Sequence, residues 1–110
     1  MIIVQTSIPI DPERRAEALE MIRTVTEHSQ KEDGVVNYWA TTDVQNPNLV
    51  RFFEQYESVE VVEKHVETDH YARFNDELAN YVDGEIETIQ ARVDDVETAR
   101  FDINELLAQK

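Results

Sequence analysis

Apolar and polar residues alternate from Ile2 to Ile8, with Ile2, Val4, Thr6 and Ile8 on one side and Ile3, Gln5 and Ser7 on the other. A period of two predicts a strand, which Pro9 ends. The period then changes. Asp11-Pro12 sets an N-cap followed by proline at the first helical position. Ala18, Met21, Ile22 and Val25 recur at helical spacing as far as about Gln30. Asp33-Gly34 predicts a turn, Val35 to Thr42 a second strand, and Asp43 to Asn48 a polar hairpin loop containing Pro47. The β-branched and aromatic run from Leu49 to Tyr56 predicts a third strand. Ser58 then caps one helix, which carries His65, and Thr68 or Asp69 caps another. Phe74, Leu78 and Val82 form the inward stripe of that second helix, and Gly84 stops it. Glu85 to Val96 reads as a long fourth strand, and Asp102 caps a short amphipathic segment with Ile103, Leu106 and Leu107.

The order βαββαβ predicts an α+β, ferredoxin-like domain: a four-stranded antiparallel sheet with helices on one face. Residues 1–97 make the domain, and residues 98–110 its C-terminal amphipathic tail. The strands are apolar on both faces. Val35, Asn37 and Trp39 alternate with Val36, Tyr38 and Ala40, and Arg51 and Phe53 with Val50 and Phe52. Helices cover only one face, so the other requires a partner.

Composition narrows the function. Asp and Glu number 24 against 10 Lys and Arg, a net charge of −14. Such a surface repels phosphates, which argues against nucleic acid as a partner. The acidic residues sit between apolar positions, as on solvated faces, and read as a halophilic surface suited to high salt. The chain has no cysteine, which excludes disulfides, thiolate nucleophiles and Cys-ligated metals. No run approaches the roughly 18 apolar residues that span a membrane, and Ile2-Ile3-Val4 lacks the basic start of a signal peptide. The expectation is a cytoplasmic protein without a membrane partner.

Phosphate-cradling and nucleophile-elbow motifs are missing: both glycines, Gly34 and Gly84, stand at turns, and no serine sits in Gly-x-Ser-x-Gly. His28, His65 and His70 show no metal-ligand spacing, so no metal is expected. What remains is an aromatic pocket with a few polar groups, the usual make-up of a small-molecule site. Its substrate-binding candidates are Asn37, Tyr38, Trp39, Phe52, Tyr56, Tyr71, Arg73 and Phe74, and its catalytic candidates are His70 and His65. His70, in the first turn of its helix, reads as the more open base. His65, beside Val62 and Val66, reads as a packed structural histidine. Arg73 can bind an oxyanion or pair with Glu77 at i+4.

Gly34 with Tyr38, Glu54-Gln55-Tyr56-Glu57-Ser58, His65-Val66-Glu67-Thr68-Asp69-His70, and Phe74 resemble the antibiotic biosynthesis monooxygenase family, including its quinol monooxygenases, over roughly Met1 to Val96. The family often has Trp where this chain has Tyr56; the single tryptophan here is Trp39, on the preceding strand. The resemblance implies a homodimer packed sheet to sheet as a dimeric α+β barrel. It also implies oxidation of a quinol or polyphenol-type aromatic by O2 with no cofactor, the substrate supplying the electrons. Haem-degrading relatives of the fold use Asn on the first strand, Trp after the third and an axial His. Ser7, Tyr56 and Asn75 stand there instead, so that activity is not expected. A non-catalytic dimer that binds a small metabolite or serves a stress response is the alternative from another class.

Overall fold

The computed structural model describes residues 1–108. Its elements run β1 (Ile2–Pro9), a 3-10 turn (Pro12–Arg14), α1 (Arg15–Ser29), β2 (Val35–Asp43), β3 (Asn46–Tyr56), α2 (Val59–Val66), α3 (Asp69–Leu78), β4 (Glu87–Arg92) and α4 (Ile103–Ala108). The strands form one antiparallel sheet in the order β2-β3-β1-β4. This is the ferredoxin-like α+β fold expected from the element order. Among the described residues, no helix is long and apolar enough to cross a membrane.

Local chemistry explains the element ends. Asp11 accepts from the Glu13 amide, Ser58 Oγ from Val61 and Thr68 Oγ1 from Tyr71, each satisfying a helix donor that would otherwise lack a partner. Gly34 takes φ +85°, a conformation that L side chains rarely adopt, and the Gly34 carbonyl accepts from the Glu57 amide at 2.9 Å. The hairpin is tighter than expected: β2 continues to Asp43 and β3 already begins at Asn46. The fourth strand is shorter, Glu87–Arg92 rather than Glu85 to Val96, because it pairs only with β1, from Ile2 to Ser7.

Pleating divides the sheet. Ile2, Val4, Ile8, Tyr38, Val50, Phe52 and Tyr56 face the helices, and Ile8, Tyr38, Val50 and Phe52 pack with Ala18, Met21, Ile22 and Val25 of α1 into the main core. The opposite face carries Trp39 stacked on Phe53, ring centroids 4.6 Å apart, and among the described residues no helix covers it. Trp39 is 45% and Ile89 57% exposed. In the tail, Asp102 caps α4, its Oδ1 accepting from Glu105 at 2.9 Å. Phe101, Ile103, Leu106 and Leu107 all remain exposed, so the apolar side of α4 is not docked on its own chain. Gln109 and Lys110, the last two residues of the expected tail, lie outside the described residues.

Candidate functional site

The loop between α1 and β2 delivers the least anticipated residue. After Ser29 the chain winds one more turn, with the Glu32 amide donating to the Ser29 carbonyl at 3.2 Å, before Gly34 reverses it. Glu32 is thereby aimed at the junction of α2 and α3. There Thr68 donates its hydroxyl to the His65 carbonyl at 2.7 Å while its Oγ1 caps α3, so one side chain fixes the bend between two helices. The bend brings His65, in the last turn of α2, and His70, in the first turn of α3, to one carboxylate oxygen. Glu32 Oε2 lies 2.8 Å from His65 Nδ1 and 2.7 Å from His70 Nε2.

His65 is buried and packed among three tyrosines: Tyr71 edge-on at 5.1 Å, Tyr56 at 5.5 Å and Tyr38 at 5.6 Å between ring centroids. It lines a cavity of about 290 Å³ between the sheet and α2–α3. Tyr38, Phe52, Glu54 and Tyr56 form the sheet side, Val62, Val66, Tyr71, Phe74, Asn75 and Leu78 the helical side, and Ile86, Thr88 and Gln90 the β4 side. That volume is at the small end for ligand pockets, about 300–1,000 Å³. Tyr56 donates its hydroxyl to the Glu54 carboxylate two residues earlier on the same strand face.

Burial sets the protonation of these groups. It pushes the Glu54 carboxyl above the usual carboxylate range, outweighing the Tyr56 hydrogen bond and the nearby His65, both of which favour the ionised form. Burial also drives the Tyr38 and Tyr56 phenols far up, reinforced in both cases by the Glu54 charge. Both phenols therefore stay protonated as hydrogen-bond donors. Among the described residues, none that lines the cavity is Lys or Arg.

Of the residues singled out in the sequence, the fold brings His65, Tyr38, Phe52, Tyr56, Tyr71 and Phe74 around this cavity. Four others lie elsewhere. Asn37 donates to Gln55 Oε1 at 2.8 Å, away from the cavity. Trp39 points to the opposite sheet face, because neighbours on a strand point to opposite sides. His70 and Arg73 line a separate groove between α1 and α3, where His70 stacks on His28 at 5.3 Å. Arg73 makes no ion pair with Glu77 among the described residues. His65 is buried and faces the cavity; His70 is the more open of the two, lies outside the cavity lining, and meets His65 at the shared Glu32 oxygen, with the two ring centroids 6.2 Å apart. Along their own helices the histidines have no metal-ligand spacing. Glu32, from a separate segment, completes a cluster whose ligand atoms lie within 4.8 Å of one another.

Residues 1–77 match the model of the family described as antibiotic biosynthesis monooxygenase, and the chain belongs to that family. The Bacillus subtilis (strain 168) protein YcnE is 30% identical over 74 residues, which is 67% of this chain and 78% of that protein. A solved structure of a conserved protein from Methanosarcina mazei Go1 superposes with a TM-score of 0.78 at 23% identity, over 83% of this chain and 90% of that one. A crystal structure of an antibiotic biosynthesis monooxygenase superposes with a TM-score of 0.80 at 19% identity, over 84% of this chain and 98% of that one. At these identities the solved structures establish the fold.

Proposed function

We propose that the chain is a cofactor-independent monooxygenase of quinols or related polyphenols, working as a homodimer with His65 as its general base. The observation that carries this reading is the His65 ring. Glu32 holds Nδ1, which leaves Nε2 as the nitrogen available to an aromatic cavity. A carboxylate on one imidazole nitrogen fixes the tautomer so that the other accepts a proton, and it stabilises the imidazolium that forms.

A ring hydroxyl gives its proton to Nε2, and the electron-rich anion reacts with O2. One oxygen atom is inserted at a ring C–H. The other leaves as water with the two hydroxyl hydrogens of the quinol, which becomes a hydroxyquinone. The ring supplies all four electrons, two at the C–H and two in going from quinol to quinone. Tyr38 and the His65 imidazolium are the donors for developing negative charge. The apolar wall of Val62, Val66, Phe74 and Leu78 keeps water from the intermediate. With no Lys or Arg among the described lining residues, the pocket suits a neutral hydroxyaromatic better than a carboxylate-bearing one.

The test is oxygen uptake by metal-stripped protein at high salt across a quinol and polyphenol panel, with isotopically labelled O2 traced into the product. Label in the quinone supports the reading. Activity lost on chelation, or tight ligand binding with no oxygen uptake across the panel, overturns it, and the latter outcome favours a non-catalytic binding protein.

A further inference from the structure

Glu32, His65 and His70 converge more closely than a base and its orienting carboxylate require. Two imidazole nitrogens, from different helices, aim at one point, where Glu32 Oε2 now sits 2.8 and 2.7 Å away. We propose that these three residues form a site for a divalent zinc-class metal ion, and that its occupancy switches His65 off as a base.

Two imidazoles and one carboxylate with further positions open to water is a ligand set suited to Zn²⁺, Co²⁺ or Ni²⁺, and unsuited to Mg²⁺ or Ca²⁺, which favour oxygen ligands. The ligands come from three rigidly placed segments: the turn ending α1, the last turn of α2 and the first turn of α3. Around a tetrahedral ion with bonds of about 2.1 Å, ligand atoms stand about 3.4 Å apart. The ion therefore sits between Oε2 and the two nitrogens that point toward it, and Oε2, now 2.8 and 2.7 Å from them, moves outward by roughly 0.6–0.7 Å to reach that spacing. Glu32 and His70 are only partly buried, so an ion can enter from the α1–α3 groove without crossing the core.

Occupancy has a consequence for the cavity. A neutral imidazole has one N–H and one acceptor nitrogen. With Glu32 accepting from Nδ1–H, Nε2 is the acceptor. With a metal on Nδ1, the proton must reside on Nε2, which becomes a donor and can no longer take a proton from substrate. The binding half of the proposal stands on the cluster alone; the switching half rests on the reading of His65 as the base.

The experiment titrates the metal-free full-length chain with Zn²⁺ by calorimetry and with Co²⁺ by visible absorption, in molar KCl. Mg²⁺ serves as the control for cations gathered by the −14 surface. The expected result is one Zn²⁺ per chain, weakened at least about tenfold by His70→Ala and by Glu32→Gln, with circular dichroism confirming that both variants fold. Co²⁺ should give ligand-field bands that both variants lose. Binding indifferent to both substitutions, or equal competition by Mg²⁺, overturns the site. For the switch, Zn²⁺ should abolish quinol-dependent oxygen uptake and a chelator should restore it. Site-dependent Zn²⁺ binding with unchanged turnover overturns the switch. A chain that turns over no quinol defeats the base reading and the switch with it, while the calorimetry still decides the site.

Discussion

His65 and Glu32 lie 33 residues apart in sequence and 2.8 Å apart in space, joined by a hydrogen bond that leaves one face of a buried imidazole toward an aromatic cavity. The carboxylate also contacts His70, so it couples the interior ring to a second ring in an outer groove. In the proposed reaction, proton transfer at His65 depends on this bridge.

If His65 is the base, His65→Gln should lower turnover about a hundredfold or more, the range typical of a lost general base. Glu32→Gln should cost about tenfold, ~1.4 kcal/mol in the barrier, mainly in kcat, because Glu32 orients His65 and does not touch the cavity. His70→Ala should cost less than Glu32→Gln. Steady-state oxygen uptake on folded variants checks the order; a larger loss in His70→Ala than in His65→Gln would reverse the assignment.

Glu54 makes stability depend on pH. Its carboxyl titrates higher in the fold than in the unfolded chain, chiefly because of burial. Protonated Glu54 therefore favours the fold, and this contribution is complete below the unfolded carboxylate range. It is lost as pH rises through the elevated folded value. Glu54→Gln, which can still accept from Tyr56, should raise the melting temperature at neutral pH and change it little at acid pH. Thermal melts of both proteins across pH at fixed salt test this, and equal shifts at both ends would contradict it.

Gly34 disfavours a side chain on two counts. Its φ of +85° disfavours an L residue, and a Cβ there would collide with the Val61 side chain. Gly34→Ala should destabilise the fold by about 1–3 kcal/mol, read by urea denaturation. The loop that aims Glu32 should loosen with it, so oxygen uptake should fall as well.

The uncovered sheet face is expected to meet a second copy. Ile89→Asp, a change at an exposed position on that face, should turn a dimer into a monomer in sedimentation while the circular dichroism spectrum stays the same. Removing residues 100–110 should weaken the dimer through loss of the apolar side of α4. A wild-type monomer at micromolar concentration and high salt would rule out the barrel arrangement.

With 24 acidic residues against 10 basic ones, the chain repels itself, and molar salt shortens the Debye length to about 3 Å. Melting temperature should rise steeply from dilute buffer to molar KCl. Equal values at both ends would remove the halophilic reading.

The order of elements was legible because strand and helix periods differ, and because Pro12, Ser58 and Thr68 mark helix starts chemically. Much of the cavity was legible too: Tyr38, Phe52 and Tyr56 fall on the inward strand positions, and Tyr71 and Phe74 on one stripe of α3. Tyr38 and Trp39 are strand neighbours and cannot share a face. His70, Arg73 and Glu77 follow one helical stripe into the outer groove, while Tyr71, Phe74 and Leu78 follow the next into the cavity. Glu32 was not legible. Its partners are 33 and 38 residues away, and one glutamate before a turn resembles the other exposed acids of this chain.

The β4 side of the cavity gives the pocket a division of labour. Ile86, Thr88 and Gln90 complete the lining, yet they follow residue 77, where the family match ends. Tyr38, Glu54, Tyr56 and His65 all precede it. The pocket half that holds Tyr38, Glu54, Tyr56 and His65 and the wall opposite it therefore belong to different stretches of chain. Exchanging the β4 segment for that of a relative should change which ring is accepted while the proton-handling residues stay where they are, making this wall the natural place to retune the protein for a different aromatic.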